Sequence, residues 1–167
     1  APSDYRRLPH DSVLGRDASA YLAGRGVTED QIATHRIGFF STGPLAGCLM
    51  LPVYDGDVMV YYVARAFARP GRRYINPKNG EMMRTASECL FNLGIAELYG
   101  RVTLVEGYFD ALAESPTGVA MFGTSLSETQ FALLAAAARR RSLTGTVKLD
   151  GDGTVSDAKV FEIAKRL

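Results

Sequence analysis

The chain has 167 residues, 47% of them hydrophobic and 22% charged, with a formal net charge of +1. That length suits one domain, or a domain with a small appendage, and is enough to bury a real core. No apolar run approaches the roughly 20 residues that span a bilayer, and the start, APSDYRRLPHDSV, lacks the layout of a secretory leader, so a cytoplasmic location is expected and a membrane partner is not.

The first stretch, DASAYLAGRGVTEDQIATHRIGFF, reads as two short helices around Gly24-Arg25-Gly26, with Thr28 and Gln31 spaced as a capping box. CLMLPVYDGDVMVYYVARAF follows, alternating as a β-hairpin about Asp55-Gly56-Asp57, and Pro52 suggests an edge strand. Between residues 65 and 84 the charge is one-sided: Arg65, Arg69, Arg72, Arg73, Lys78 and Arg84 face Glu81 alone. Such a run is ordinarily a solvated surface, and it is also the electrostatic footprint that phosphate binding requires. Cys48 and Cys89 have no C-x-x-C spacing and only His10 and His35 beside them, so neither a disulfide framework nor a zinc site is indicated and both read as core thiols.

From Glu88 helix and strand alternate. SECLFNLGIAELYG is helical in spacing and stops near Gly100; VTLVE (102–106) is a strand; YFDALAE returns to helix; GVAMF (118–122) is the next strand. SETQFALLAAAARRR carries Ser127 and Gln130 as a second capping box, with Arg139, Arg140 and Arg141 complementing the helix dipole. GTVKLD (145–150) is the third strand and SDAKVFEIAKRL the last helix. This order argues for βαβ units and a parallel sheet.

Ligands of parallel sheets bind at the carboxyl ends of the strands. Glu106 ends VTLVE, Asp110 falls on the first turn of the helix after it, and Asp150 and Asp152 lie at and beyond the end of the third strand, in KLDGDGT. KLDGDGT by itself reads equally as an Asp-Gly turn or a metal site. Jointly, four carboxylates with no histidine or cysteine make a hard-oxygen site suited to Mg²⁺ or Mn²⁺. A calcium loop fails, because its sixth and twelfth positions are Val155 and Phe161. The D-x-D-G-T of haloacid-dehalogenase-type phosphatases fits Asp150 to Thr154, but that family opens its domain with this strand, and thirteen residues remain after Thr154.

LVEGYFDALA, then MFGTSLSETQFALLAA, then KLDGDGT resembles, in order and spacing, the Toprim module of bacterial and phage-type (DnaG-like) DNA primases. Upstream, YLAGRGVTEDQIATHRIGFF, the hairpin with RRYINPKNGE, and LFNLGIAE are similar to the rest of the primase catalytic core. The resemblance implies an α/β fold, with residues 1–87 a helical and β-hairpin subdomain and 88–167 a Toprim domain cut short at its C-terminal end. It implies an Mg²⁺-dependent nucleotidyltransferase that makes RNA primers on single-stranded DNA from ribonucleoside triphosphates, in a bacterial cell or phage-infected host. Glu106, Asp150 and Asp152 would be catalytic, and Asp110 would join them in holding metal. Arg65, Arg73, Tyr74, Asn76, Lys78 and Arg84 would face template and nucleotide, and Gly123 and Thr124, with Ser125, would border the nucleotide phosphates. A replicative helicase and a separate zinc-binding domain are the implied partners. Gly153-Thr154 departs from the Ala-Gly usual in the family after the aspartate pair. A Toprim nuclease, which would use the same acids, and a non-catalytic nucleic-acid-binding replisome module are the alternatives.

Overall fold

The computed structural model describes residues 2–71, 73–78 and 80–149. The chain is mixed α/β and divides into two units, one of Ala1–Val53 with Met59–Met82, the other of Tyr54–Val58 with Met83 onward.

The first unit contains β1 (Tyr5–Arg7), α1 (Val13–Ala23), α2 (Glu29–Thr34), β2 (Gly38–Phe40), β3 (Cys48–Asp55), β4 (Val58–Ala66) and β5 (Tyr74–Ile75), the tip of the β3–β4 hairpin grouping with the second unit. The strands form one sheet in the order β1-β2-β3-β4-β5, with β1 on β2, β2 on β3 and β4 on β5 antiparallel. Phe40, Cys48, Met50, Tyr62 and Ala64 are the buried cluster of the sheet. Both helices start on side-chain caps, which satisfy amides that have no partner within the helix. The Ser12 hydroxyl accepts from Gly15 N at 3.1 Å, and Thr28 with Gln31 makes the expected reciprocal box at 3.0 and 3.2 Å. Gly56 takes the hairpin turn at φ 58°, a conformation glycine adopts without steric cost.

The edge reading of Pro52 is corrected: it lies in β3, third of the five strands. The sheet tolerates it there because β2 is short and pairs only Gly38 with Met50 and Phe39 with Leu49, so Pro52 stands beyond the end of its neighbour.

In the second unit a 3₁₀ turn (Ala86–Glu88) precedes α3 (Leu93–Leu98), β6 (Arg101–Val105), α4 (Tyr108–Ala113), β7 (Gly118–Ala120), α5 (Glu128–Arg140) and β8 (Thr144–Val147). The sheet is parallel with β6 in the middle, pairing Val105 with Ala120 on one side and Leu104 with Val147 on the other. Leu104 and Val119 are fully buried and, with Val102, Met121, Leu126 and Leu134, join sheet to helices. Gly118 is required by close approach: a Cβ there would stand 2.2 Å from the carbonyl oxygen of Ala111 on α4.

The single helix expected over residues 87–100 is divided. Asn92 sits at φ 65°, Phe91 bridges Ala120, and the Asn92 side-chain amide donates to the carbonyls of Pro116 and Gly118 at 3.0 and 2.9 Å. Asparagine is among the few residues that enter the left-handed region readily, and here its amide is held by the start of β7. The strands also stop earlier than expected, so Glu106 and Met121-Phe122 follow strand ends instead of lying within them. The expected helix over 156–167 lies outside the described residues. No helix of the described residues is long and apolar enough to cross a membrane.

Candidate active site and nucleic-acid interface

Glu106 follows the last residue of β6, the central strand of the parallel sheet. It is half-buried and its Oε1 atom is fully buried. Gly107 then starts α4, and Asp110 turns back so that its Oδ2 accepts from Gly107 N at 3.0 Å. A Cβ at Gly107 would lie 2.6 Å from that same oxygen, so the absence of a side chain is what lets Asp110 reach back to the strand end. The sequence placed Glu106 and Asp110 at one sheet edge, and both stand within one turn of the β6 terminus. Asp150 and Asp152 lie outside the described residues.

Carboxylate oxygens alone suit Mg²⁺ or Mn²⁺. Among the described residues no group of three or more His, Cys, Asp or Glu side chains is arranged to hold a metal ion.

The loop after β7 borders this edge of the sheet. Phe122 holds φ 58°, an unusual backbone for a bulky residue and of the kind that clusters at functional sites. A Cβ at the exposed Gly123 would meet nothing within 4 Å, so the backbone there is open to close approach; Thr124 is half-buried. Gln130 supports the loop from beneath. It is 1% exposed, and its Nε2 donates to the carbonyls of Ala86, Cys89 and Met121 at 3.0, 3.0 and 2.8 Å while its Oε1 accepts from Ser127 N. The capping-box spacing found Gln130; nothing in the spacing pointed to its role as a hub.

At the end of β8, Lys148 N donates to Leu104 O at 2.8 Å, continuing the ladder past the strand. Its ammonium pairs with Glu114, which raises the lysine pKa through the hydrogen bond and the carboxylate charge. Arg140, read as dipole complementation, makes a two-pronged bond to Glu97 at 2.9 and 2.8 Å. The guanidinium hydrogen bond lowers the Glu97 pKa, and the pair ties α5 to α3. Burial pushes the Cys89 thiol up to about 12, as for an inert core cysteine.

The basic segment belongs mainly to the first unit. Arg65, on β4, is 6% exposed; Tyr74, on β5, is 45% exposed, and the Arg65 guanidinium carbon lies 4.5 Å from its ring centroid. Arg73, Asn76 and Lys78 are exposed around them, and Glu81 receives the Lys78 backbone N–H at 2.8 Å. Arg84 falls in the second unit, where it pairs with Asp55 at the hairpin tip. The sequence reading missed Tyr21, whose hydroxyl accepts from Arg65 Nε at 2.9 Å.

No protein-family model matches the chain, and no curated protein does. Solved structures do. The Aquifex aeolicus primase, zinc-binding and RNA polymerase domains, aligns over 90% of this chain with TM-score 0.71 and 22% identity. The E. coli primase catalytic core aligns over 93% with TM-score 0.67 and 21% identity. A DnaG primase catalytic domain bound to single-stranded DNA aligns over 93% with TM-score 0.68 and 21% identity. The chain spans 45%, 60% and 59% of those three chains, respectively. The chain thus has the fold of the DnaG primase catalytic core, the fold its sequence resembles.

Proposed function

We propose that the chain catalyses template-directed nucleotidyl transfer, making short RNA primers on single-stranded DNA. The observation that carries this reading is the primase-core fold with an acid, Glu106, immediately past the central strand of its parallel sheet. Glu106, Asp110, Asp150 and Asp152 are the residues to hold Mg²⁺ or Mn²⁺, which when bound neutralises phosphate charge and lowers the pKa of an attacking hydroxyl. Glu106 also accepts the proton of the primer 3′-hydroxyl in this reading. The 3′-oxygen then forms its bond to the α-phosphorus as the bond to pyrophosphate breaks. The 122–125 loop presents its backbone to the nucleotide phosphates, with Gly123 allowing close approach. Arg65 takes a template phosphate and Tyr74 stacks a base, a combination that binds single strands without selecting sequence. Phosphate contacts of this kind weaken steeply as salt rises.

The test is to incubate the chain with single-stranded DNA, labelled ribonucleotides and Mg²⁺ or Mn²⁺. Template-dependent RNA products support the proposal. Shortened template makes the site a nuclease, and binding without either product makes the chain a docking module.

A further inference from the structure

Tyr21 lies on α1 and Arg65 on β4, 44 residues apart in sequence. The Tyr21 hydroxyl oxygen receives two guanidinium N–H groups, Arg25 Nε at 2.8 Å and Arg65 Nε at 2.9 Å. Its ring also faces both cations, with the guanidinium carbons of Arg25 and Arg65 at 5.2 and 6.0 Å from the centroid. Beyond Arg65 lies the exposed ring of Tyr74, so Arg25, Tyr21, Arg65 and Tyr74 form a continuous ladder of alternating cations and rings.

Arg65 is 94% buried by its exposure of 6%, yet among the described residues no carboxylate forms a salt bridge with it. A buried guanidinium without an anion is costly, and facing aromatic rings offset only part of that cost. The hydrogen bond to Tyr21 engages Nε; the two terminal amino groups of a guanidinium held in this way match a phosphate in two-pronged geometry. A guanidinium on a flexible stem would reach this pose only at the expense of rotamer freedom. The hydroxyl removes that freedom in advance.

We infer that Tyr21 is a positioning residue for single-stranded nucleic acid: its hydroxyl fixes the rotation of Arg65 over Tyr74, so that the arginine meets a backbone phosphate while the tyrosine ring takes the adjoining base. This rests on the assignment of Arg65 and Tyr74 to the template in the proposed function. Tyr21→Phe keeps the ring and both ring–cation contacts and removes only the oxygen.

The experiment measures binding of a fluorescent oligothymidylate by anisotropy to the wild-type chain, Tyr21→Phe, Arg65→Lys and the double variant. Tyr21→Phe is expected to weaken binding about fivefold to tenfold, the range set by the net contribution of one ordinary hydrogen bond. In the Arg65→Lys background the same change is expected to have no further effect, because residues acting through one another are not additive. The Arg65 Nε–Hε resonance, observed by ¹⁵N NMR in the free chain, is expected to shift in Tyr21→Phe. Wild-type affinity in Tyr21→Phe, or full additivity with Arg65→Lys, overturns the inference while leaving the template reading intact. If the wild-type chain does not bind the strand, or Arg65→Lys binds it equally well, the template reading falls and the inference with it.

Discussion

Replacing Gln130 by leucine removes one side-chain amide and disconnects three pieces of backbone. Nε2 has two hydrogens shared among the carbonyls of Ala86, Cys89 and Met121, and Oε1 takes the Ser127 amide, all at a residue 1% exposed. Leucine nearly matches the volume, so the cavity cost is small. The hydrogen-bond cost is not. Each bond contributes about 1 kcal/mol net, and a buried polar group left without a partner costs about 1–3 kcal/mol. Four bonds lost, with partial access of water to the orphaned groups, gives about 4 kcal/mol, a large share of the roughly 5–15 kcal/mol that holds a domain folded. Ser127→Ala, which removes the cap on Gln130 N at 3.0 Å and the bond to Ser87 O, is expected to cost only about 1 kcal/mol. Because the chain divides into two units, the suitable assay is native-state hydrogen exchange of α5 amides such as Leu134 and Ala137, which reads the stability of the unit containing them. A Gln130→Leu loss below about 1 kcal/mol, or no larger than that of Ser127→Ala, would refute the hub.

Further consequences can be checked separately. Burial lowers the His35 pKa to about 4 from an ordinary value of 6.5, so the unfolded state binds the extra proton first as the solution is acidified. Stability is therefore full above pH 6.5 and falls by about 3 kcal/mol as pH drops toward 4; urea midpoints across that window should flatten in His35→Gln. Glu97, held low by Arg140, contributes stability above the ordinary glutamate pKa and loses it as pH falls through its lower folded value, so Glu97→Gln should reduce the urea midpoint at neutral pH and erase its share of acid sensitivity. Gly118→Ala forces a methyl group to 2.2 Å from the Ala111 carbonyl oxygen, and a loss of about 3 kcal/mol or more, measured by thermal unfolding, is expected. Gly107→Ala displaces the Asp110 carboxylate at a cost near 1 kcal/mol in stability, measured by thermal unfolding.

What the sequence disclosed depended on how local its cause was. Both capping boxes were readable because donor and acceptor sit three residues apart, and both form. The parallel sheet was readable because VTLV and GVA are buried on both faces and carry no polar alternation. Asn92 broke an apparently continuous helix through bonds to Pro116 and Gly118, partners more than twenty residues away that helical periodicity does not see. Strands β1, β2 and β5, two or three residues each, are too short to carry a pattern and exist because neighbouring strands template them. The same limit hid Tyr21, whose partner Arg65 lies 44 residues away in sequence. Glu106 and Asp110 were legible as a pair because a strand end and the first turn after it are contiguous in sequence.

The most direct test of the polymerase reading compares wild type with Glu106→Gln in ribonucleotide incorporation on single-stranded DNA with Mn²⁺, circular dichroism confirming equal folding. Template-dependent products from the wild type and none from Glu106→Gln are expected; equal synthesis by both, or none by either, would contradict it.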